Sequence, residues 1–145
     1  MTQVHASCVA LDGRGVLITG ASGAGKSDLA LRLIDGGALL VADDQVLLTR
    51  EKGAIVARPP PRLAGLIEVR GLGIRTGLPT CDEATLALVV ALVARSAVER
   101  LPPPAHFTLD GASVPRVKLC AFDASAPAKV RAALRTRAMD EGKDG

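Results

Sequence analysis

The stretch that decides the fold is Gly20-Ala21-Ser22-Gly23-Ala24-Gly25-Lys26-Ser27, which fills every fixed position of the phosphate-binding pattern G-x-x-x-x-G-K-[ST]. Residues 16–19 before it form an apolar run typical of a buried strand, and residues 28–34 after it have the apolar spacing of a helix. A strand, a glycine loop and a helix in this order predict a nucleoside triphosphate site. Backbone N–H groups, the helix N-terminus and the Lys26 ammonium would face the phosphates, and the Ser27 hydroxyl would ligate Mg²⁺.

Length and composition indicate one globular domain. The chain has 145 residues, 48% of them hydrophobic and 23% charged, which is enough to bury a core without disulfides or a structural metal. The longest apolar run, residues 84–94, is too short to span a bilayer, and Asp12 and Arg14 interrupt the apolar N-terminal region. We therefore expect a cytoplasmic protein without membrane contact, with a domain over residues 1–139 and a polar tail over 140–145.

The charge balance favours an acidic small ligand over nucleic acid. The formal net charge is +3, and the chain contains two Phe, no Trp and no Tyr. Proteins that bind single-stranded nucleic acid stack bases on aromatic side chains, which are scarce here. The sequence therefore predicts a nucleotide or an acidic protein surface as partner, and no nucleic acid.

Hydrophobic patterning predicts an α/β domain with a β-hairpin ahead of the phosphate loop. Residues 4–11 and 14–19 flank the turn signal Asp12-Gly13, and residues 46–49 and 54–57 form a second candidate hairpin. The valine-rich run at 86–93 favours a strand, and residues 126–139 have the pattern of a helix. The strand ahead of the loop distinguishes this chain from doubly wound kinases, in which the loop follows the first strand.

Two neighbouring carboxylates follow a short apolar run, residues 38–42. Asp43 and Asp44 stand at the carboxyl end of that predicted strand, the edge at which open α/β sheets bind ligands. Aspartate also closes strands for purely structural reasons, and the two interpretations are about equally supported by the residues alone. An ionised carboxylate beside a phosphate loop would accept a hydroxyl proton or help to hold Mg²⁺.

Four segments together resemble one family. They are His5-Ala6, the phosphate loop at 20–27, Leu40-Val41-Ala42-Asp43-Asp44, and Ile67-Glu68-Val69-Arg70-Gly71-Leu72-Gly73-Ile74. Their sequence and spacing, over about residues 5–100, are similar to the catalytic domain of HPr kinase/phosphorylase. The family's N-terminal regulatory domain has no counterpart here, so we expect the short form with the catalytic domain only.

The resemblance implies a fold, a substrate and cofactors. The fold is an α/β P-loop nucleotide-binding domain of the phosphoenolpyruvate-carboxykinase-like type, with a mixed sheet and flanking helices. The substrate is a serine hydroxyl of HPr, the phosphocarrier protein of the phosphotransferase system, and the cofactors are ATP and Mg²⁺. The family also implies a homohexamer.

The resemblance also implies roles for individual residues. By register with the family's motif, Asp44 is the catalytic base, and Asp43 holds metal or orients the site. Glu68 is a Mg²⁺ ligand beside Ser27. Arg70 and Gly71 belong to the matching Glu-Val-Arg-Gly stretch and are assigned to the site.

Two further residues resemble active-site positions of the family. His5 corresponds to a histidine ahead of the first hairpin and is predicted to orient a carboxylate. Arg100 resembles a later arginine whose charge would stabilise the transferring phosphoryl group. A surface or structural position explains His5 better than a catalytic role does, and a cation at the end of a helix or strand explains Arg100 almost as well. His106 has no such context and is interpreted as a loop residue.

Two alternative functions share the phosphate loop. A small-metabolite kinase would have the same α/β core but would not be expected to match at residues 68–74. A nucleotide-binding regulatory module would keep the loop without turnover. A GTPase is disfavoured because the chain has no Asn-Lys-x-Asp segment.

The family's reverse reaction uses inorganic phosphate to remove the phosphoryl group from phosphoserine. A basic Pro-Gly-Arg-Asn type segment is associated with that activity, and the corresponding residues 117–127 lack it and contain Asp123. That carboxylate would repel phosphate if it faced the site, and Ser125 with Pro127 would serve to begin a helix. We therefore predict a kinase activity that exceeds any phosphorolysis.

Overall fold

The computed structural model describes residues 1–137 and residue 139, and the predicted polar tail at 140–145 lies outside them. The strands are β1 Thr2–Val4, β2 Ser7–Leu11, β3 Arg14–Thr19, β4 Leu39–Ala42, β5 Val46–Glu51, β6 Ala54–Arg58, β7 Ile67–Val69, β8 Gly73–Arg75, β9 Ala84–Leu92, β10 His106–Leu109 and β11 Ala112–Leu119. The helices are α1 Lys26–Asp35 and α2 Ala126–Arg135, and short 3₁₀ turns cover Pro61–Leu63 and Arg95–Ala97.

Nine of these strands form one mixed sheet. Its main path is β1-β5-β6-β9-β3-β2-β4, and β11 pairs with both β9 and β10. The pairs β3 with β9 and β9 with β11 are parallel, whereas β2 pairs antiparallel with both β3 and β4. β7 and β8 form a separate two-stranded ribbon. The predicted α/β class with a mixed sheet is confirmed.

Three hairpins of the sheet have tight turns in which both central residues have positive φ. Asp12-Gly13 joins β2 to β3 with φ values of 51° and 78°, and Lys52-Gly53 joins β5 to β6 with 52° and 79°. Two successive positive φ angles are the geometry of a type I′ turn, so both predicted hairpins are confirmed. Asp110-Gly111, with φ values of 48° and 84°, joins β10 to β11 in the same way.

The interpretation of His106 as a loop residue was wrong, because it begins β10.

The central strands bury both faces. In β3, Val16 and Ile18 pack in one core with α1 and α2, whereas Leu17 packs in a second core with β5 and β6. Strand β9 contributes to both cores, through Leu88 and Val90 on one side and through Val89 on the other. Burial on both faces explains why residues 86–93 read as an almost continuous apolar run, and their prediction as a strand is confirmed. Both helices pack in the first core.

The strand directions bring several carboxyl ends to one edge. β4 is parallel to β3, because each is antiparallel to β2, and β9 and β11 run the same way as β3. The phosphate loop after β3, the residues after β4 and the residues after β11 therefore meet at this edge.

Within the described residues, no helix is long and apolar enough to cross a membrane.

Helix α2 is shorter than predicted. It ends at Arg135 rather than at Met139, because the backbone of Thr136 turns extended. Ser125 occupies the predicted N-cap position and proline lies in the first turn, but the Ser125 side chain makes no capping hydrogen bond.

Candidate active site

The phosphate loop requires glycine at the residue that immediately precedes helix α1. Gly25 is the N-cap, with a φ of 98° in the left-handed region. A Cβ atom at this position would lie 2.8 Å from the Cβ of Ala121, closer than real Cβ contacts. Both the left-handed backbone conformation and the close approach of Ala121 therefore exclude a side chain at Gly25.

The Lys26 ammonium is held over the loop that precedes it. Its Nζ atom donates hydrogen bonds to the carbonyl oxygens of Gly20 at 2.9 Å and Ala21 at 3.1 Å. Lys26 also lines the cleft at the edge of the sheet. The positive charge is thus positioned where a polyphosphate chain would follow the loop.

The Asp43 carboxylate connects the phosphate loop to two other parts of the site. Its Oδ1 atom accepts hydrogen bonds from the hydroxyls of Ser7 at 2.6 Å and Ser27 at 2.7 Å. Its Oδ2 atom accepts a hydrogen bond from the backbone N–H of Glu68 at 3.1 Å. These contacts join the end of β4 to β2, to α1 and to β7, so Asp43 fixes the relative positions of all four.

Burial sets Asp43 and Ser7 apart from other polar residues. Ser7 is 0% exposed and Asp43 is 4% exposed, and they are the only polar or charged residues buried in the part of the chain that the structure describes. Buried polar groups are costly unless hydrogen-bonded. Here the cost is offset by the hydrogen bonds that join Asp43 to Ser7, to Ser27 and to the backbone of Glu68.

Asp44 is exposed to the cleft and has a strained backbone. Its φ is 73°, and among the described residues it is the one non-glycine residue with positive φ that is not followed by glycine in a hairpin turn. Its carbonyl oxygen accepts a hydrogen bond from the N–H of Ala6 at 3.3 Å. Strained backbone of this kind is characteristic of active sites. Asp44 is therefore available to a substrate, whereas Asp43 is enclosed by its donors.

The cleft has a volume of about 620 Å³, in the range of small-molecule sites. Side chains of both charges line it: Lys26 and Arg70 are positive, and Asp28, Asp44 and Glu68 are negative. The lining residues are Ser7, Ser22, Gly23, Gly25, Lys26, Ser27, Asp28, Leu31, Asp44, Glu68, Val69, Arg70 and Phe122.

Seven of the residues predicted for the site do not line this cleft. They are Gly20, Ala21 and Ala24 of the phosphate loop, Asp43, His5, Arg100 and Gly71. Gly71 is the exposed turn residue between β7 and β8, with a φ of 93°. His5 is exposed, one residue before Ala6, and Arg100 is exposed on the loop between β9 and β10. Catalytic roles for His5 and Arg100 stay predictions.

Sequence analysis did not assign five of the lining residues to the site: Ser7, Asp28, Leu31, Val69 and Phe122. Ser7 is a hydroxyl in an otherwise apolar strand, and this interruption of the pattern was a usable signal. Phe122 follows β11 and is 63% exposed. The adjacent Asp123 does not line the cleft, and its carboxylate accepts a hydrogen bond from Arg95 Nε at 2.6 Å, which raises the pKa of Arg95.

The donor set suits a hard divalent cation. The Ser27 hydroxyl and the Glu68 side chain line the cleft and offer oxygen ligands, which Mg²⁺ prefers. Among the described residues no three His, Cys, Asp or Glu side chains are grouped as a ready metal site. Magnesium commonly completes its shell with phosphates and water, so one or two protein oxygens at this position are sufficient.

Comparison with known proteins shows the family. The family model described as the HPr Serine kinase C-terminal domain matches residues 1–120. An HPr kinase/phosphorylase of Bordetella petrii is 45% identical over 111 residues, which are 70% of this chain and 36% of the relative. Another, from Mycoplasma mycoides, is 47% identical over 97 residues, 63% of this chain and 31% of the relative. The chain thus spans about a third of the length of these relatives.

A solved structure agrees with the sequence match. The Hpr(Ser) kinase/phosphatase of Coxiella burnetii superposes with a TM-score of 0.82 at 28% identity, over 100% of both chains. The family-model match over residues 1–120 includes the phosphate loop, the Asp43-Asp44 pair and Glu68, and the structural match covers the whole chain. The chain therefore belongs to the family of the HPr serine kinase C-terminal domain.

Proposed function

We propose that this chain transfers the γ-phosphoryl group of ATP to a serine hydroxyl of the phosphocarrier protein HPr. The observation that carries the proposal is the Asp43 carboxylate, which is hydrogen-bonded to Ser27 of the phosphate loop and to the backbone of Glu68. This contact puts the nucleotide-binding loop and the exposed Asp44 in one cleft. Such an arrangement suits attack of a hydroxyl on a loop-bound phosphate.

The loop supplies the binding of ATP. Its backbone N–H groups and the N-terminus of α1 favour the phosphates, and Lys26 adds a full positive charge. Mg²⁺ bound by Ser27 and Glu68, with Asp43 orienting the Ser27 hydroxyl, would neutralise charge on the β- and γ-phosphates. The hydrogen bond from Ser27 to Asp43 supports this assignment, because it aligns a hydroxyl and a carboxylate at the mouth of the loop.

Asp44 is the proposed base of the transfer. The serine oxygen of HPr forms a bond to the γ-phosphorus as the bond between that phosphorus and the β–γ bridging oxygen breaks, and ADP leaves. The serine proton passes to the Asp44 carboxylate, which faces the cleft. Arg70 brings a fixed positive charge to the same cleft, where it would interact with the phosphoryl oxygens.

The reverse reaction is proposed to be weaker than the kinase reaction. Lys26 and Arg70 are the positive side chains that line the cleft. Arg95 forms an ion pair with Asp123 and compensates its negative charge. The segment around Asp123 contributes no positive side chain to the cleft. A second phosphate ion would therefore meet few unused positive groups.

We also propose the finer features that the resemblance implies. The antiparallel strand β2 ahead of the loop-bearing strand supports the phosphoenolpyruvate-carboxykinase-like type of P-loop fold. The exposed Leu72 and Ile74 of the β7–β8 ribbon, 60% and 70% exposed, offer apolar surface for a homo-oligomer, hexameric by resemblance. The reaction would take place in the cytoplasm. The catalytic domain would be a single one, over residues 1–139.

A label-transfer experiment tests the proposed function. The purified chain is incubated with γ-labelled ATP and Mg²⁺, with HPr, with HPr whose acceptor serine is alanine, and with a panel of hydroxylated metabolites. We expect label on HPr and none on the alanine variant. Label on a metabolite alone would identify a small-metabolite kinase, and binding of ATP without any transfer would identify a regulatory module. Either result would contradict the proposal.

A further inference from the structure

Phe122 places an exposed aromatic ring at the rim of the phosphate-loop cleft. Its side chain is 63% exposed and lines the cleft together with Ser22 and Gly23 of the loop. The ring lies so close to Gly25 that a Cβ atom there would be 3.2 Å from two ring carbons. An aromatic ring that is largely unburied in the free protein contributes little to the core, so its position needs another explanation.

Two arginines hold the segment that carries this ring. Arg32 of helix α1 donates hydrogen bonds to the backbone carbonyls of Ala121 and Asp123, on either side of Phe122. Arg95 pairs with the Asp123 carboxylate, with its Nη2 atom 2.5 Å from Oδ1. Ala121 itself is 1% exposed. The backbone is thus fixed at both neighbours of Phe122, while the ring stays free on the cleft side.

The sheet order gives a direction to a nucleotide on the loop. Asp43 and Asp44 follow β4, which is two strands from β3 on one side, and Phe122 follows β11, which is two strands from β3 on the other. The terminal phosphate belongs at the side where Ser27, Glu68 and Asp44 provide oxygen ligands and the base. The nucleoside end of the same molecule then extends toward Phe122.

We propose that Phe122 is the stacking face for the base of the bound nucleoside triphosphate, a site that rests on the proposed binding of ATP by the loop. Stacking uses the π-face that every base has, and it does not read hydrogen-bonding edges. Phe122 therefore contributes similarly to the binding of ATP and GTP. Its contribution is absent for a polyphosphate without a base.

The test compares ligands with and without a base on matched variants. The affinities of Mg-ATP, Mg-GTP and magnesium tripolyphosphate are measured by calorimetry for the parent chain, Phe122→Ala and Leu101→Ala. Leu101 is 80% exposed and does not line the cleft, so its variant controls for loss of an exposed apolar side chain. We expect Phe122→Ala to weaken both nucleotides about tenfold, leaving tripolyphosphate unchanged. Leu101→Ala should behave as the parent chain.

A tryptophan variant gives a second readout. The chain contains no Trp, so Phe122→Trp would be its single indole, and we expect its fluorescence to change with ATP but not with tripolyphosphate. Equal affinity of Phe122→Ala and the parent chain for ATP would overturn the inference, as would an equal loss for tripolyphosphate. If the parent chain bound neither ligand, the proposed function itself would fail.

Discussion

Replacing Asp43 by asparagine should destabilise the fold, and the contacts of the carboxylate give the size of the effect. The carboxylate accepts two hydrogen bonds on Oδ1 and one on Oδ2. An amide has one oxygen, so when it faces the hydroxyls of Ser7 and Ser27, its NH₂ group meets the N–H of Glu68. One hydrogen bond to a charged acceptor is then lost, at a cost of about 1.5–3 kcal/mol.

Two opposing effects modify this figure. The remaining hydrogen bonds to the serine hydroxyls lose charge assistance and weaken by roughly half. Against this, a neutral amide is less costly to bury than a carboxylate, and Asp43 is 4% exposed. We therefore expect a net decrease of about 2–3 kcal/mol in the free energy of unfolding.

Urea denaturation followed by circular dichroism measures the effect, with Asp44→Asn as the matched control. Asp44 is exposed, and asparagine tolerates its left-handed backbone, so the control should stay within about 0.5 kcal/mol of the parent. The slope of the free energy against urea should be the same for all three proteins. The reasoning is refuted if Asp43→Asn unfolds at the same urea concentration as Asp44→Asn.

Three further predictions address binding, pH dependence and reversibility. Lys26→Ala should weaken Mg-ATP binding by about 2–3 kcal/mol, roughly a hundredfold, with the urea midpoint unchanged; parental affinity in calorimetry would contradict the loop assignment. Hydrogen bonds from Arg58 and Thr49 lower the pKa of Glu51 from 4.5 to about 2, so its pairing with Arg58 stabilises the fold above pH 4.5 and is lost as the pH falls toward 2. NMR titration should show the Glu51 pKa returning toward its ordinary value in Arg58→Gln; an ordinary pKa in the parent would contradict the pairing. Release of pyrophosphate from serine-phosphorylated HPr at millimolar phosphate should be clearly slower than the forward transfer, and comparable rates would show that another segment supplies an anion site.

Local sequence signals were sufficient for much of the fold. Asp12-Gly13 predicts its hairpin because the pair tolerates two positive φ angles, and the valines of β9 predict a buried strand. Asp110-Gly111 carries the same signal as Asp12-Gly13, so the hairpin of β10 and β11 was predictable and was missed. The end of α2 was overestimated because the helical pattern continues past Arg135, where the backbone turns extended.

The contacts of the site depend on sheet order, which no local pattern contains. Ser7 and Asp43 are 36 residues apart and meet because β2 and β4 pair, with Cys8 opposite Ala42. Phe122 reaches the phosphate loop because β11 lies beside β9. Sequence motifs therefore indicated the loop and the carboxylates, but the partner of each carboxylate required the fold.

The transfer rate of Asp44→Asn tests the central claim most directly. Label transfer from γ-labelled Mg-ATP to HPr is measured in single turnovers for the parent chain and Asp44→Asn, with ATP affinity measured on the same preparations. We predict transfer at least about a hundredfold slower in Asp44→Asn, because its amide cannot take the serine proton, with ATP affinity within about twofold of the parent. Transfer by Asp44→Asn at the parental rate would contradict the assignment of Asp44 as the base, and loss of transfer in folded Asp43→Asn alone would reverse the roles of the pair.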